Sequence, residues 1–255
     1  MQHSITLPQD PAQQYLLRIG DTCLILAQRI AEWSGHAPVL EEDIALSNMA
    51  LDLIGQARAV LTLAGKASGH DEDQLAFLRE ERHYYNPALV ELPRGDFAFT
   101  VLRNTLVATL LSLLWRELLQ SSNAELAAIA GQALKEARYH QQHAADWVVR
   151  LGDGTQESQR RAQAAVDALW HYTPELFSSD AVDLHAEQTG LGPRWESLRP
   201  AWLAEMQSVL EAANLHQPQD SAFVSSGKRG VHSEHLGYML AEMQHLQRSY
   251  PGGAW

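Results

Sequence analysis

Thiols are almost missing from this chain of 255 residues: Cys23 is its one cysteine, which excludes an internal disulfide framework and any thiolate-rich metal or iron–sulfur site within a single chain. Long apolar runs are missing too. A membrane span needs roughly 20 apolar residues, and the richest run, Leu106 to Leu114, is cut short by Arg116 and Glu117. The N-terminal MQHSITLPQDP lacks a basic start followed by an apolar block, so no secretory signal is visible and a cytoplasmic protein, away from membranes, is expected. Positive charge is scarce, with 19 Lys and Arg against 31 Asp and Glu and a formal net charge of −12. Such a surface repels nucleic acid over most of its area, although a local basic patch can still receive a small anion. What is present is apolar matter, 45% of the residues, enough for one large domain with a full core over residues 1–255.

The helical period dominates. After Asp10-Pro11, an N-cap followed by proline at the first helical position, Tyr15, Leu16, Ile19, Cys23, Leu26, Ile30 and Trp33 recur at threes and fours. A second helix runs from about Glu41 to Lys66 and is broken by the glycine-containing, acidic stretch Gly69 to Asp73. A short helix, Gln74 to about Arg82, leads into HYYNPALVELPRGD, whose prolines and glycine argue against a continuous helix. Asp96 caps a third long helix, and Asn123 a fourth that stops at Gly152. Ser158 to Tyr172 and Pro193 to Asn214 are further helical stretches joined by the polar segment SSDAVDLHAEQTGLG, and the tail closes with a helix from about Val231 to Arg248. No strand ladder is visible. The expectation is an all-α bundle of four long helices, about 25 residues each, preceded by a flexible extension over residues 1–10, with any ligand region between facing helices.

The fourth helix carries LKEARYHQQH, Leu134 to His143, in which Glu136, His140 and His143 share a face. Di-metal bundles draw each half-site from a Glu-x-x-His pair on one helix and further glutamates from two others. Here the residue three before His140 is Ala137, and on the second helix the corresponding slots in LDLIGQAR hold Leu53 and Gln56. A working di-iron pair wants about four carboxylates and two imidazoles. A shifted site on Glu136, His140 and His143 would need opposing carboxylates, of which Asp52 and Glu32 are nearest by pattern, with Asp52 expected beside the core.

The stretches RIGDTCLILAQRIAEWSGHAP, IALSNMALDLIGQARAVL, DEDQLAFLREER, ALKEARYH and GVHSEHLGYMLAEMQHLQR, spread from about Arg18 to Arg248, resemble the structural subunits of bacterial phenylacetyl-CoA epoxidases. Those are ferritin-like proteins related to the catalytic subunits of the same complexes. The resemblance implies a ferritin-like bundle with no catalytic residues and no cofactor of its own. Leu53, Gln56, Ala137 and His140 become vestigial di-iron positions, with His140 the remnant ligand, Glu136 a neighbour, and Gln56 hydrogen-bonding near His140. It further implies a homologous di-iron catalytic partner, a reductase with flavin and iron–sulfur groups, further small subunits, and a homodimer when the chain is alone. A reading from another class is a self-sufficient di-iron oxygenase or ferroxidase on the shifted Glu136/His140 site; a third is a homo-oligomeric scaffold.

Outside the bundle core, Arg82, His83, Tyr84, Tyr85 and Asn86 combine arginine with tyrosine, as interface anchors and pockets for amphipathic ligands do. Lys228 and Arg229, between glycines in SSGKRG, form either an exposed basic loop for contact between subunits or a receptor for a coenzyme A phosphate. His232 and His235, with Tyr238, Met239, Glu242, Met243 and His245 beyond, suggest a packing or partner-facing surface, because a helix face alone rarely supplies a full zinc ligand set. The loop around Leu184 and His185 is a weaker candidate of the same kind. No Gly-x-Ser-x-Gly turn or nucleophile-and-base spacing points to a hydrolase.

Overall fold

Each long helix starts where a side chain can satisfy its first free N–H groups. In the computed structural model, which describes residues 3–219 and 221–253, Asp10 accepts from the Ala12 N–H at 3.1 Å and starts α1 (Pro11–Ala31). After α2 (Leu40–Gly65) and a short α3 (Glu72–Phe77), Asp96 accepts from Phe99 and starts α5 (Phe97–Leu118), and Asn123 accepts from Glu125 and Leu126 and starts α6 (Ala124–Gly152). Between α3 and α5 the one-turn α4 (Ala88–Glu91) lies in the proline-bounded segment. Then follow α7 (Gln156–Trp170), the one-turn α8 (Thr173–Leu176), α9 (Ala181–Thr189), α10 (Arg199–Ala212) and α11 (Glu234–Ser249). The all-α expectation holds: among the described residues the only β pairing is an isolated bridge between Ser226 and Val231.

The two long hairpins differ in burial. α1 packs along α2 and α5 along α6, while α2 and α6 meet across the bundle. α1 and α5 are covered on their other sides by α9 and by α7 and α10, and so are buried nearly all round. This explains the composition of α5: it is long and apolar enough to cross a membrane, yet 89% of its most apolar window lies inside the protein. α2 and α6 instead bury one face each, and the inner face of α6 is rich in alanine (Ala130, Ala133, Ala137, Ala144), which lets α5 approach closely.

Two local readings need correction. The polar stretch 178–192 contains α9, capped by Asp180 through the Val182 and Asp183 N–H groups and ended by Gly190 at φ +70; its buried face is only Val182, Asp183 and Ala186, too small an apolar signal to show as a period. The expected helix Gln74 to Arg82 is instead α3 followed by a separate 3-10 turn, Glu81–His83. Of the N-terminal extension, Met1 and Gln2 lie outside the described residues, as do Asp220, Ala254 and Trp255 of the chain. Residues 3–10 run beside α3, with the Ile5 N–H donating to the Leu78 carbonyl at 3.0 Å and Ile5 and Leu7 partly buried against the core.

Candidate functional site

Leu53 and Ala137, each 1% exposed, face one another across the interior between the hairpins. With Leu26 and Ile30 of α1, Met49 of α2, His140 of α6 and Asn104, Ala108 and Leu111 of α5 they enclose a cavity of about 10 Å³, at the lower limit for a single water. The Asn104 carboxamide oxygen is buried there without a protein partner. His140 is 4% exposed, and its Nε2 lies 3.0 Å from the Asp52 carboxylate. Burial pushes the His140 pKa down, more than the hydrogen bond to Asp52 raises it, so the ring is neutral near pH 7 and its Nε2–H donates to Asp52.

Gln56 sits one turn along α2, outside this cavity, and donates to Glu136 at 2.9 Å while its carbonyl oxygen accepts from Cys23 at 3.7 Å. Burial holds the Cys23 thiol far above its ordinary pKa, so it is an inert packing group. His143 Nε2 lies 3.0 Å from Glu42 Oε2 without the alignment of a hydrogen bond. The result is a row of pairs along the α2–α6 seam, each imidazole or amide facing one carboxylate. The shifted set does not converge: Glu136 is engaged by Gln56 and His140 by Asp52, and Glu32 closes the far end of α1 with Arg29. Among the described residues no group of three or more His, Cys, Asp or Glu could hold a metal ion. With leucine and alanine in two slots and almost no free volume, this interior does not fit a di-iron pair.

Most of the other candidate residues gather beside α4, where the C-terminal segment closes over the 79–91 stretch. Tyr84 and Asn86 are fully buried, Tyr85 and His83 partly so, and Arg82 is exposed. Arg79 and Asp21, both 0% exposed, form an ion pair that Tyr85 joins through its N–H, and Arg79 also stacks 4.2 Å from the Tyr84 ring. Asn86 donates to Glu91 at 3.0 Å. Glu91 also accepts from the Ser233 N–H at 2.6 Å and faces His232 Nδ1 at 2.9 Å, while His232 Nε2 faces the Tyr84 carbonyl at 2.9 Å. A carbonyl and a carboxylate both ask for a proton, so the pocket favours the imidazolium form of His232: burial opposes the charge, but Glu91 and Tyr84 together raise its pKa.

The basic loop is where expectation and structure part. Lys228 is 3% exposed; its Nζ donates to the Ser178 carbonyl at 2.9 Å, lies 3.7 Å from Asp183 and stands 4.7 Å over the Trp195 ring. Burial brings its pKa down to about 8, with Asp183 opposing the shift. It is an internal clamp rather than a free cation. Arg229 alone is exposed as a basic loop would have it. The loop enters so deeply because of its glycines: a Cβ on Gly227 would meet the Asn86 carbonyl at 2.3 Å, and Gly230, at φ +78, lies against the Arg82 carbonyl. His185 and His235 are partly exposed, on α9 and in the first turn of α11, and the structure does not bring them together with the rest.

Sequence reasoning missed Asp21, Glu91 and Glu175. Each is a charge inside or beside an apolar run, a signal that a buried partner exists without saying where. Glu175, 2% exposed, receives the N–H groups of Ala88 and Lys228 and the Ser225 hydroxyl.

The chain is 47% identical over 242 residues, 94% of its length and 98% of the relative's, to a protein of Escherichia coli (strain K12) described as the C subunit of 1,2-phenylacetyl-CoA epoxidase. Residues 2–255 match the family described as phenylacetic acid catabolic protein. From the N-terminal strap to the last turn of α11, then, this chain belongs to the phenylacetic acid catabolic protein family.

Proposed function

We propose that this chain is the non-catalytic structural subunit of a multicomponent cytoplasmic oxygenase that epoxidises phenylacetyl-CoA in phenylacetate breakdown. On this reading the bundle is ferritin-like, its di-iron positions are Leu53, Gln56, Ala137 and His140, and the iron belongs to a homologous catalytic partner fed by a flavin and iron–sulfur reductase. The observation that carries it is the pairing of Leu53 and Ala137 across about 10 Å³ of free space, where a metal pair would need carboxylates.

Packing then does what ligands do elsewhere. An unmetallated cluster of carboxylates would be costly to bury without a cation; leucine and alanine fill the same interior without that penalty, and Gln56 and His140 each satisfy one carboxylate at its edge. The bundle is thereby rigid without metal, and suited to holding a partner in place.

Iron per polypeptide is the test, measured on this chain purified alone from iron-supplemented cells and on the complex formed with the catalytic subunit. Iron in the complex and none in the chain alone is expected. Two irons in the chain alone would replace this reading with a self-sufficient metal enzyme.

A further inference from the structure

One face of the bundle is dressed for company. Along α2, Leu40, Ile44, Leu51 and Ile54 are 72, 54, 65 and 38% exposed, a stripe at helical spacing turned away from the core. Beside it a groove of about 310 Å³ runs between α2 and α6, with Leu51, Gly55 and Ala59 on one wall and Ile129, Gln132 and Glu136 on the other. Gly55 is the informative residue. It stands exposed in the middle of a 26-residue helix, and a Cβ added there would meet nothing within 4 Å. No turn, cap or close contact inside this chain uses the missing side chain, and glycine weakens a helix interior. A backbone approaching from outside would use it, and Ala59 one turn on keeps the same wall low.

Charge indicates the visitor. Among the described residues, the ionisable groups lining the groove are Asp52 and Glu136, both carboxylates that keep partial exposure. A second copy of this acidic chain docked symmetrically would set the same carboxylates against each other.

We infer that the α2–α6 groove seats a helix of the catalytic subunit, apolar where it crosses Leu51 and Gly55 and carrying Lys or Arg against Asp52 and Glu136. This rests on the reading of the chain as a structural subunit, proposed above, and assigns that role a place on the molecule.

The experiment measures affinity of the purified catalytic subunit for this chain and for three variants, Leu51→Glu, Gly55→Leu and Ser208→Glu, the last on the exposed face of α10. Thermal unfolding of each variant alone checks the fold, which should be unchanged because all three positions are exposed. Leu51→Glu and Gly55→Leu should each weaken binding about 30-fold or more, with Ser208→Glu binding as the parent does. If the two groove variants bind as the parent does, the groove assignment is overturned while the structural-subunit reading survives. If the parent chain itself does not bind the catalytic subunit, it is the structural-subunit reading that fails. If the parent chain sediments as a dimer that Gly55→Leu converts to monomer, without change in binding to the catalytic partner, the occupant is a second copy and the inference is wrong.

Discussion

Two regions of this bundle treat charge in opposite ways. Between the hairpins, the interior around Leu53 and Ala137 is kept almost free of it, and His140 is neutral with one carboxylate at the boundary. Where the C-terminal segment closes over the 79–91 stretch, charge is buried outright: Arg79 with Asp21, His232 with Glu91, and Lys228 beside Asp183. The first arrangement tolerates loss of any single polar group. The second does not, because each member is satisfied only while the others stay in place.

Breaking the Arg79–Asp21 pair should therefore have the largest effect. Asp21→Asn is expected to cost about 3–5 kcal/mol in urea unfolding, because it strands a buried guanidinium, and the joint replacement Asp21→Leu with Arg79→Met should recover much of that loss. In the other region, Leu53→Ala should cost about 2–5 kcal/mol through the enlarged cavity. Ala137→Leu should cost about 1–3 kcal/mol, because so little space is available to take it.

Acidity separates the regions more finely. His232 has its pKa raised on folding, so its contribution is complete below the unfolded value of about 6.5 and is lost as pH rises through the folded value. His140 has its pKa lowered; its contribution is complete above about 6.5 and is lost as pH falls through the folded value. Hydrogen exchange should accordingly show the α11 amides less protected at pH 8 than at pH 6, and the α2–α6 seam less protected below pH 6 than at pH 7. His232→Gln should remove the first trend, at a cost of about 1.5–3 kcal/mol at pH 6 for a charge-assisted hydrogen bond. The smallest effect has the opposite sign: Gly55→Ala should stabilise the isolated chain by up to about 1 kcal/mol, since the added methyl meets nothing.

This division also explains what is legible in the sequence. The four long helices announce themselves because large apolar residues recur along each at threes and fours, with Asp10, Asp96 and Asn123 marking three starts. The spacings of Leu53 to Gln56 and of Ala137 to His140 are legible because each is defined within a single helix. Of their neighbours, Asp52 is named by pattern and does reach His140, whereas Asn104, lining the same cavity from α5, depends on how helices are rotated against one another. Asp52, expected beside the core, has a side chain 38% exposed that lies at that boundary. Lys228 reads as a surface residue by type, and only the meeting of Ser178, Asp183 and Trp195 around it makes an interior place for an ammonium group.

The bond between His232 and Glu91 spans 141 positions, and the ribosome must make every one of them between the carboxylate and its counter-ion. The first hairpin precedes that interval; within it the second can be synthesised and brought against the first, while Glu91, Glu175 and Asp183 await groups supplied by residues 225–233. The 225–233 segment is thus a late signature: a chain halted before it would carry both hairpins, yet Glu91, Glu175 and Asp183 would keep only Asn86, Ala88, Arg18 and Asp180 of their partners.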